Sequence, residues 1–160
     1  MKHPLLAVRL LSTLASTATR GQAVVRPVVS VDTGRYTILT YDATVMSAMY
    51  AKIDNARRAT LTAAEVDAIE PLVDSSYDAY NKNNPGRGLF HPIEAYRRQY
   101  VAVINDKGEK EVWINCFYTD LETDWRHHVL DVDDGGVLFF QLEINLTLRK
   151  AYELSPGGSG

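Results

Sequence analysis

"TAAEVDAIEPLVDSSYDAYN", Thr62 to Asn81, is the stretch whose reading decides the fold class. Val66, Ile69, Val73, Tyr77 and Tyr80 recur at steps of three and four, which sets them on one face of an α-helix. Thr62 and Glu65 match the capping box, in which each side chain satisfies a backbone N–H near the other residue. Pro71 removes one helical hydrogen bond and crowds the preceding turn, so a kink or a break is expected there. "NKNNPGRG", Asn81 to Gly88, then concentrates the residues that end helices.

Outward from this helix the period changes to two. Downstream, "YRRQYVAVINDKGEKEVWINCFYT" reads as two apolar strands around Asp106-Lys107-Gly108, with Gly108 suited to the left-handed position of a hairpin loop. From Val137, the residues Leu138, Phe140, Leu142, Ile144, Leu146 and Leu148 alternate with Gln141, Glu143, Asn145 and Thr147. That alternation predicts a long strand with one buried face. Upstream, "VVRPVVSVDTGRYTILTYD" reads as strand, tight turn at Asp32-Thr33-Gly34, and strand, with Pro27 confining the first to an edge.

One main helix (about 62–81) among strands gives an α+β domain, the helix packed on an antiparallel sheet of about four to six strands. The C-terminal half should be nearly all β hairpins. Residues 24–154 form the single domain, and 155–160, "SPGGSG", a flexible tail.

A chain of 160 residues, 46% hydrophobic and 23% charged, can bury a core without staples. With a net charge of −3 and arginines in scattered pairs, no basic stripe exists to track a phosphate backbone, so nucleic acid is not an expected partner. A single cysteine, Cys116, excludes an internal disulfide and any multi-thiolate zinc site. Residues 1–23, "MKHPLLAVRLLSTLASTATRGQA", have the lysine, apolar run and small residues of a secretory signal, although Arg9 interrupts the run. The alternative is a cytosolic protein with a frayed start; the balance favours secretion or the periplasm. No other segment has the length of a transmembrane span.

"RHHVLDVDDGGVLFF", Arg126 to Phe140, is the segment richest in groups that could do chemistry. In a strand, His127 and Asp131 share a face but stand roughly 13 Å apart, and His127 and His128 face opposite ways. A metal needs its ligand atoms about 2 Å away, so this spacing does not chelate one ion. A hairpin with Asp133-Asp134-Gly135 as its loop, setting Leu130 opposite Leu138, explains the pattern better. Neither a metal nor a cofactor is expected; were a metal to bind, His127, Asp133 and Asp134 are the residues to examine.

Other signals are weaker. Asp54 and Glu65 have the spacing of the ends of a calcium loop, but Ala56, Arg58 and Ala59 occupy positions that need oxygen ligands or glycine. Cys116 with His91 could form a thiol nucleophile pair, although a buried thiol among aromatics is the commoner role. Asn145-Leu146-Thr147 is formally a glycosylation sequon, but it lies inside a patterned strand. Tyr96 and Tyr100, read as outward with Arg97 and Arg98, are either a contact surface or ordinary strand residues, and the second reading is favoured. No nucleophile elbow, P-loop, dinucleotide fingerprint or HExxH occurs.

"YRRQYVAVINDKGEKEVWINCFYTD", "VDDGGVLFFQLEINLTLRKAYEL" and the upstream "ATLTAAEVDAIEPLV" together resemble an uncharacterised family of small single-domain proteins from Bacteroidota-type bacteria. The resemblance spans residues 36–154 and departs from that family in the closing "LSPGGSG". It implies a bacterial, exported domain and transfers no catalytic residue. The expectation is a non-enzymatic binding domain for a protein or small ligand. The rival is a metal-dependent or thiol hydrolase using His127, Asp133 and Asp134, or Cys116 with His91.

Overall fold

The protein is represented by a computed structural model that describes residues 34–42, 56–89, 91–118, 124–130, 132, 135–152 and 154–157. The expected leader (1–23), the strand read over 24–31, Asp54, and the acidic residues Asp131, Asp133 and Asp134 lie outside the described residues.

Strand β1 (Tyr36–Leu39) and the short β2 (Arg57–Arg58) precede helix α1 (Ala63–Asn83). After a 3-10 turn at Ile93–Ala95 come β3 (Arg97–Ile104), β4 (Lys110–Phe117), β5 (Gly136–Asn145), β6 (Lys150–Ala151) and β7 (Ser155–Gly157). The described strands form one seven-stranded sheet in the order β1-β3-β4-β5-β6, with β2 also on β3 and β7 also on β5. The α+β class is as expected, with a sheet larger than four to six strands.

The sheet is also mixed: β1 runs parallel to β3, with Tyr36 beside Arg98 and Leu39 beside Val101. The reason is α1, which carries the chain from one end of the sheet back to the other and so delivers β3 in the direction of β1. All other pairings are antiparallel.

Helix α1 starts where the capping box places it. The Glu65 N–H donates to Thr62 Oγ1 at 3.2 Å, and the Thr62 N–H donates to Glu65 Oε2 at 2.8 Å. Pro71 lies inside one uninterrupted helix. Both Pro71 and Asp67, whose carbonyl loses its helical partner, are exposed, so water can take the missing hydrogen bond. Val66, Ile69, Val73 and Tyr77 are buried, as the stripe required.

Those four side chains meet Tyr96, Tyr100, Ala102, Val112, Ile114, Phe140, Leu142 and Ile144, the even-numbered face of β3, β4 and β5. Each fully buried aliphatic side chain contributes about 1.5–3 kcal/mol, so this layer dominates the stability. The odd-numbered face is covered as well. Tyr41, Val101, Val103 and Trp113 form one cluster there, and Phe117, Trp125 and Phe139 another. Strand β5 therefore departs from the expected single buried face: Phe139 and Asn145 are buried on the side read as polar.

Two boundaries differ from the sequence reading. Strand β5 stops at Asn145, and Leu148 is 57% exposed in the turn beyond it. Ser155–Gly157, expected as the start of a flexible tail, instead pair with β5. The β3–β4 hairpin agrees with its prediction. Gly108 sits at φ +80°, and Asn105 Oδ1 accepts from the Lys107 and Glu109 N–H groups to close the loop.

Among the described residues, the first strand of the hairpin expected before β5 is not found. Residues 125–127 make a turn, no strand covers 124–130, and the partners of β5 are β4, β6 and β7. The alternation of "VLDV" loses to side chains of the sheet that capture this segment's backbone.

Candidate functional site

Gln99 on β3 and Asn115 on β4 face each other across the ladder on the side of the sheet away from α1, and both are buried. Buried amides without partners would be costly, and these have found theirs in the 124–130 segment. Gln99 Nε2 donates to the carbonyls of Trp125 (2.6 Å) and His128 (2.7 Å). Gln99 Oε1 accepts from Asn115 Nδ2 (3.1 Å) and from the Leu130 N–H (2.9 Å). Asn115 Nδ2 also donates to the Leu130 carbonyl at 2.9 Å, and Thr37 Oγ1 donates to the Arg126 carbonyl at 3.1 Å.

Trp125 adds an apolar anchor. It is 2% exposed, packs edge-on against Phe117 at 5.5 Å, and carries the Arg126 guanidinium 4.5 Å above its ring. The backbone of the segment is thus held by three polar bonds from Gln99, one from Asn115 and a buried indole.

The side chains behave in the opposite way. Arg126, His127 and His128 are exposed, and with Val129 they wall a cleft of about 560 Å³. Its other wall is the end of β1 and the residues just beyond that strand: Ile38, Leu39, Thr40 and Asp42. Asp124 sits at the base of the two histidines, with Oδ1 2.5 Å from His127 Nδ1 and Oδ2 3.5 Å from His128 Nδ1. The hydrogen bond with His127 holds the Asp124 carboxyl below its usual range. A carboxylate at Nδ1 fixes the tautomer and leaves Nε2 for an outside partner.

His127 belongs to this cleft, with Asp124 as its acidic partner, whereas Asp133 and Asp134 lie outside the described residues. Among the described residues no group of three His, Cys, Asp or Glu side chains is arranged to hold a metal ion. Cys116 is fully buried beneath α1, and burial pushes its thiol up to about 12. His91 stacks on Tyr118 at 3.6 Å, and its carbonyl accepts from the Tyr77 hydroxyl. Asn145 is buried with Nδ2 on Glu109 at 2.8 Å, which hides the sequon, and Glu65 caps α1 and pairs with Lys110 at 2.6 Å.

Tyr96 and Tyr100 face inward, correcting the outward reading, and Arg98 between them is 1% exposed. Its Nη1 lies 3.2 Å from Glu70 and its Nη2 3.8 Å from Asp74, both on α1. The Tyr100 hydroxyl donates to the same Glu70 carboxylate. Nε and Nη2 of Arg98 have no hydrogen-bond partner among the described residues.

Sequence reasoning passed over Gln99, Asn115, Asp124 and the Arg98–Glu70 pair. The signal for the first two was present: amides in the middle of "RRQYVAVI" and "VWINCF", where apolar residues would be expected of buried strands. Compared with protein-family models, with curated proteins and with solved structures, the chain matches none.

Proposed function

We propose that this protein is a non-enzymatic binding domain, exported from its cell, whose ligand seats in the cleft between the end of β1 and the 124–130 segment. One observation carries the reading. Buried Gln99 and Asn115 direct their hydrogen-bonding groups at the backbone of a segment whose side chains Arg126, His127 and His128 remain exposed. Arg126 lies over the Trp125 ring and both imidazoles on Asp124, and a rigidly held display of these exposed side chains is the arrangement expected of a recognition loop. Ile38, Leu39 and Val129 supply apolar surface, and Arg126, Asp42 and the two imidazoles supply orientation, the usual mixture in a ligand pocket. A small molecule with one polar end, or a short peptide segment, fits that mixture.

Fragment screening by amide NMR on the isotopically labelled full chain tests this. The expected result is at least one compound whose saturable shifts cluster at residues 38–42 and 126–129, with binding weakened by His127→Ala. Shifts for no compound, or shifts elsewhere only, would reject the cleft as the site.

The hydrolase reading draws on one feature, the Asp124–His127 pair, which has the form of an acid–base dyad. The one thiol of the chain, Cys116, is on the far side of the sheet and is held protonated by burial, so it cannot serve this pair as nucleophile. Turnover of an activated ester that disappears in His127→Ala would favour this rival over the binding domain.

A further inference from the structure

The cleft beside β1 opens onto the edge of the sheet. Ile38 packs into the core under α1, and Leu39 packs against the cluster around Trp113 on the opposite face, yet both line the same cleft. Neighbours whose side chains leave a strand on opposite faces share one opening only where it runs along the strand's backbone.

The register identifies the backbone groups that meet this opening. Strand β1 lies parallel to β3 with Tyr36 beside Arg98, and the Arg98 N–H donates to the Arg35 carbonyl at 2.9 Å. Within a strand the N–H and C=O of one residue point to the same side and alternate with those of the next. The backbone groups of Arg35, Thr37 and Leu39 therefore point to β3. Those of Tyr36 and Ile38 point outward, to an edge that no described strand pairs.

Two donors and two acceptors along an extended strand match another extended chain. Building on the binding-domain reading, we propose that the ligand of this cleft is a peptide segment about as long as β1, four residues, added to the sheet as a strand. Alternate side chains of that strand lie towards Val129 and the 126–128 wall, and the others beside Ile38. A second copy of this chain fits less well. Edge-to-edge pairing about a two-fold axis continues the sheet with the same face on the same side, so each copy would bring its 126–129 wall against the other's. A lone strand occupies only about 4.8 Å in the plane of the sheet.

The test is amide NMR on the labelled full chain with blocked pentapeptides in which threonine alternates with valine, isoleucine or tyrosine, residues that favour strands. At least one should shift the amides of residues 36–39 and 126–129 saturably, with Kd about 1 mM or tighter. The Tyr36 and Ile38 amides should exchange rapidly with water in the free chain and slowly in the complex. N-methylation of alternate peptide residues should abolish binding in one of the two possible sets and spare it in the other, because only one set of N–H groups faces β1. Ile38→Pro removes an outward N–H without touching the bonds to β3, and should weaken binding about ten-fold. Should that variant disturb the fold, the methylated pair carries the test. Equal effects of the two methylated sets overturn the proposal. So does slow exchange of Tyr36 and Ile38 in the free chain, which would mean that residues 24–31 or a second copy already hold the edge. Fragments that bind the cleft while all three peptides stay silent overturn it and leave the binding domain standing; silence from both rejects both.

Discussion

The two faces of the sheet solve the same problem with opposite chemistry. On the face under α1, apolar side chains from both layers interlock, and the one charged residue buried among them, Arg98, is incompletely partnered. On the far face, the buried amides of Gln99 and Asn115 sit among smaller apolar clusters, and both are engaged in hydrogen bonds with the 124–130 segment. The first face gets its strength from area removed from water, which is large and indifferent to direction. The second gets its shape from directional bonds, which are individually modest but fix one loop conformation. The stable face and the displaying face are therefore different faces, and each can be perturbed without the other.

The largest expected effect is on the helix side. Glu70→Ala leaves Arg98 with only Asp74, 3.8 Å away, and removes the acceptor of the Tyr100 hydroxyl. Stripping one partner from a buried charge costs about 3–5 kcal/mol, readable by urea denaturation. Arg98→Met removes the charge and keeps the volume, and should stay within about 1 kcal/mol of the wild type. Equal losses in the two variants would break the comparison, because the helix face would then depend on its charge and not on its area.

On the far face, Gln99→Leu orphans the Leu130 N–H and the Trp125 and His128 carbonyls while preserving side-chain bulk. A loss of about 3 kcal/mol is expected from unpaired buried groups. Hydrogen exchange should sharpen the contrast, with protection lost at 124–130 and retained in α1 relative to the variant's own global stability. Uniform loss of protection would mean that the loop and the helix open as one unit.

Alkali should act on the helix face. Burial raises the Cys116 thiol to about 12 and raises Tyr96 and Tyr100 above the usual phenol range. In the unfolded chain the thiol ionises near its ordinary value of about 8.5, so from there upward protons leave the unfolded state first. Stability is then complete below about pH 8.5 and falls as pH rises towards 12, by about 2 kcal/mol at pH 10 for the cysteine. Cys116→Val should remove that part of the decline. An unchanged pH profile in the variant would assign the alkaline sensitivity elsewhere.

The fold was legible in the sequence where one element reports on itself. The 3.6-residue stripe and capping box of α1, and the Asp106-Lys107-Gly108 loop, are local and were found in place. The parallel β1–β3 pair was missed although strand, helix and strand succeed one another in the chain, because alternation within a strand carries no information about its neighbour's direction. "RHHVLDVDDGG" misled for a related reason: its alternation is real, but its backbone is captured by Gln99 and Asn115, roughly 30 and 15 residues upstream. Asp124 was overlooked because its role needs the turn at 125–127, which brings it under both histidines. Arg98 was read as outward because a charged residue between tyrosines suggests a surface until the acidic residues of α1 are set opposite it.

The smallest effect tests whether the faces are independent in energy as well as in place. Thr62→Ala removes the side-chain half of the capping box and should cost about 1 kcal/mol, the usual value of an N-cap. Glu65 would keep its bridge to Lys110 on β4, so the helix would fray at its first turn without leaving the sheet. Thr62 and Gln99 share no partner among the described residues, and they lie on opposite sides of the sheet. The double variant Thr62→Ala with Gln99→Leu should therefore lose the sum of the single losses to within about 0.5 kcal/mol. A larger departure in urea unfolding would show that the end of α1 and the displayed loop communicate through β3 and β4. In that case a ligand in the cleft would tighten the helix as well, and the two faces would have to be treated as one coupled layer.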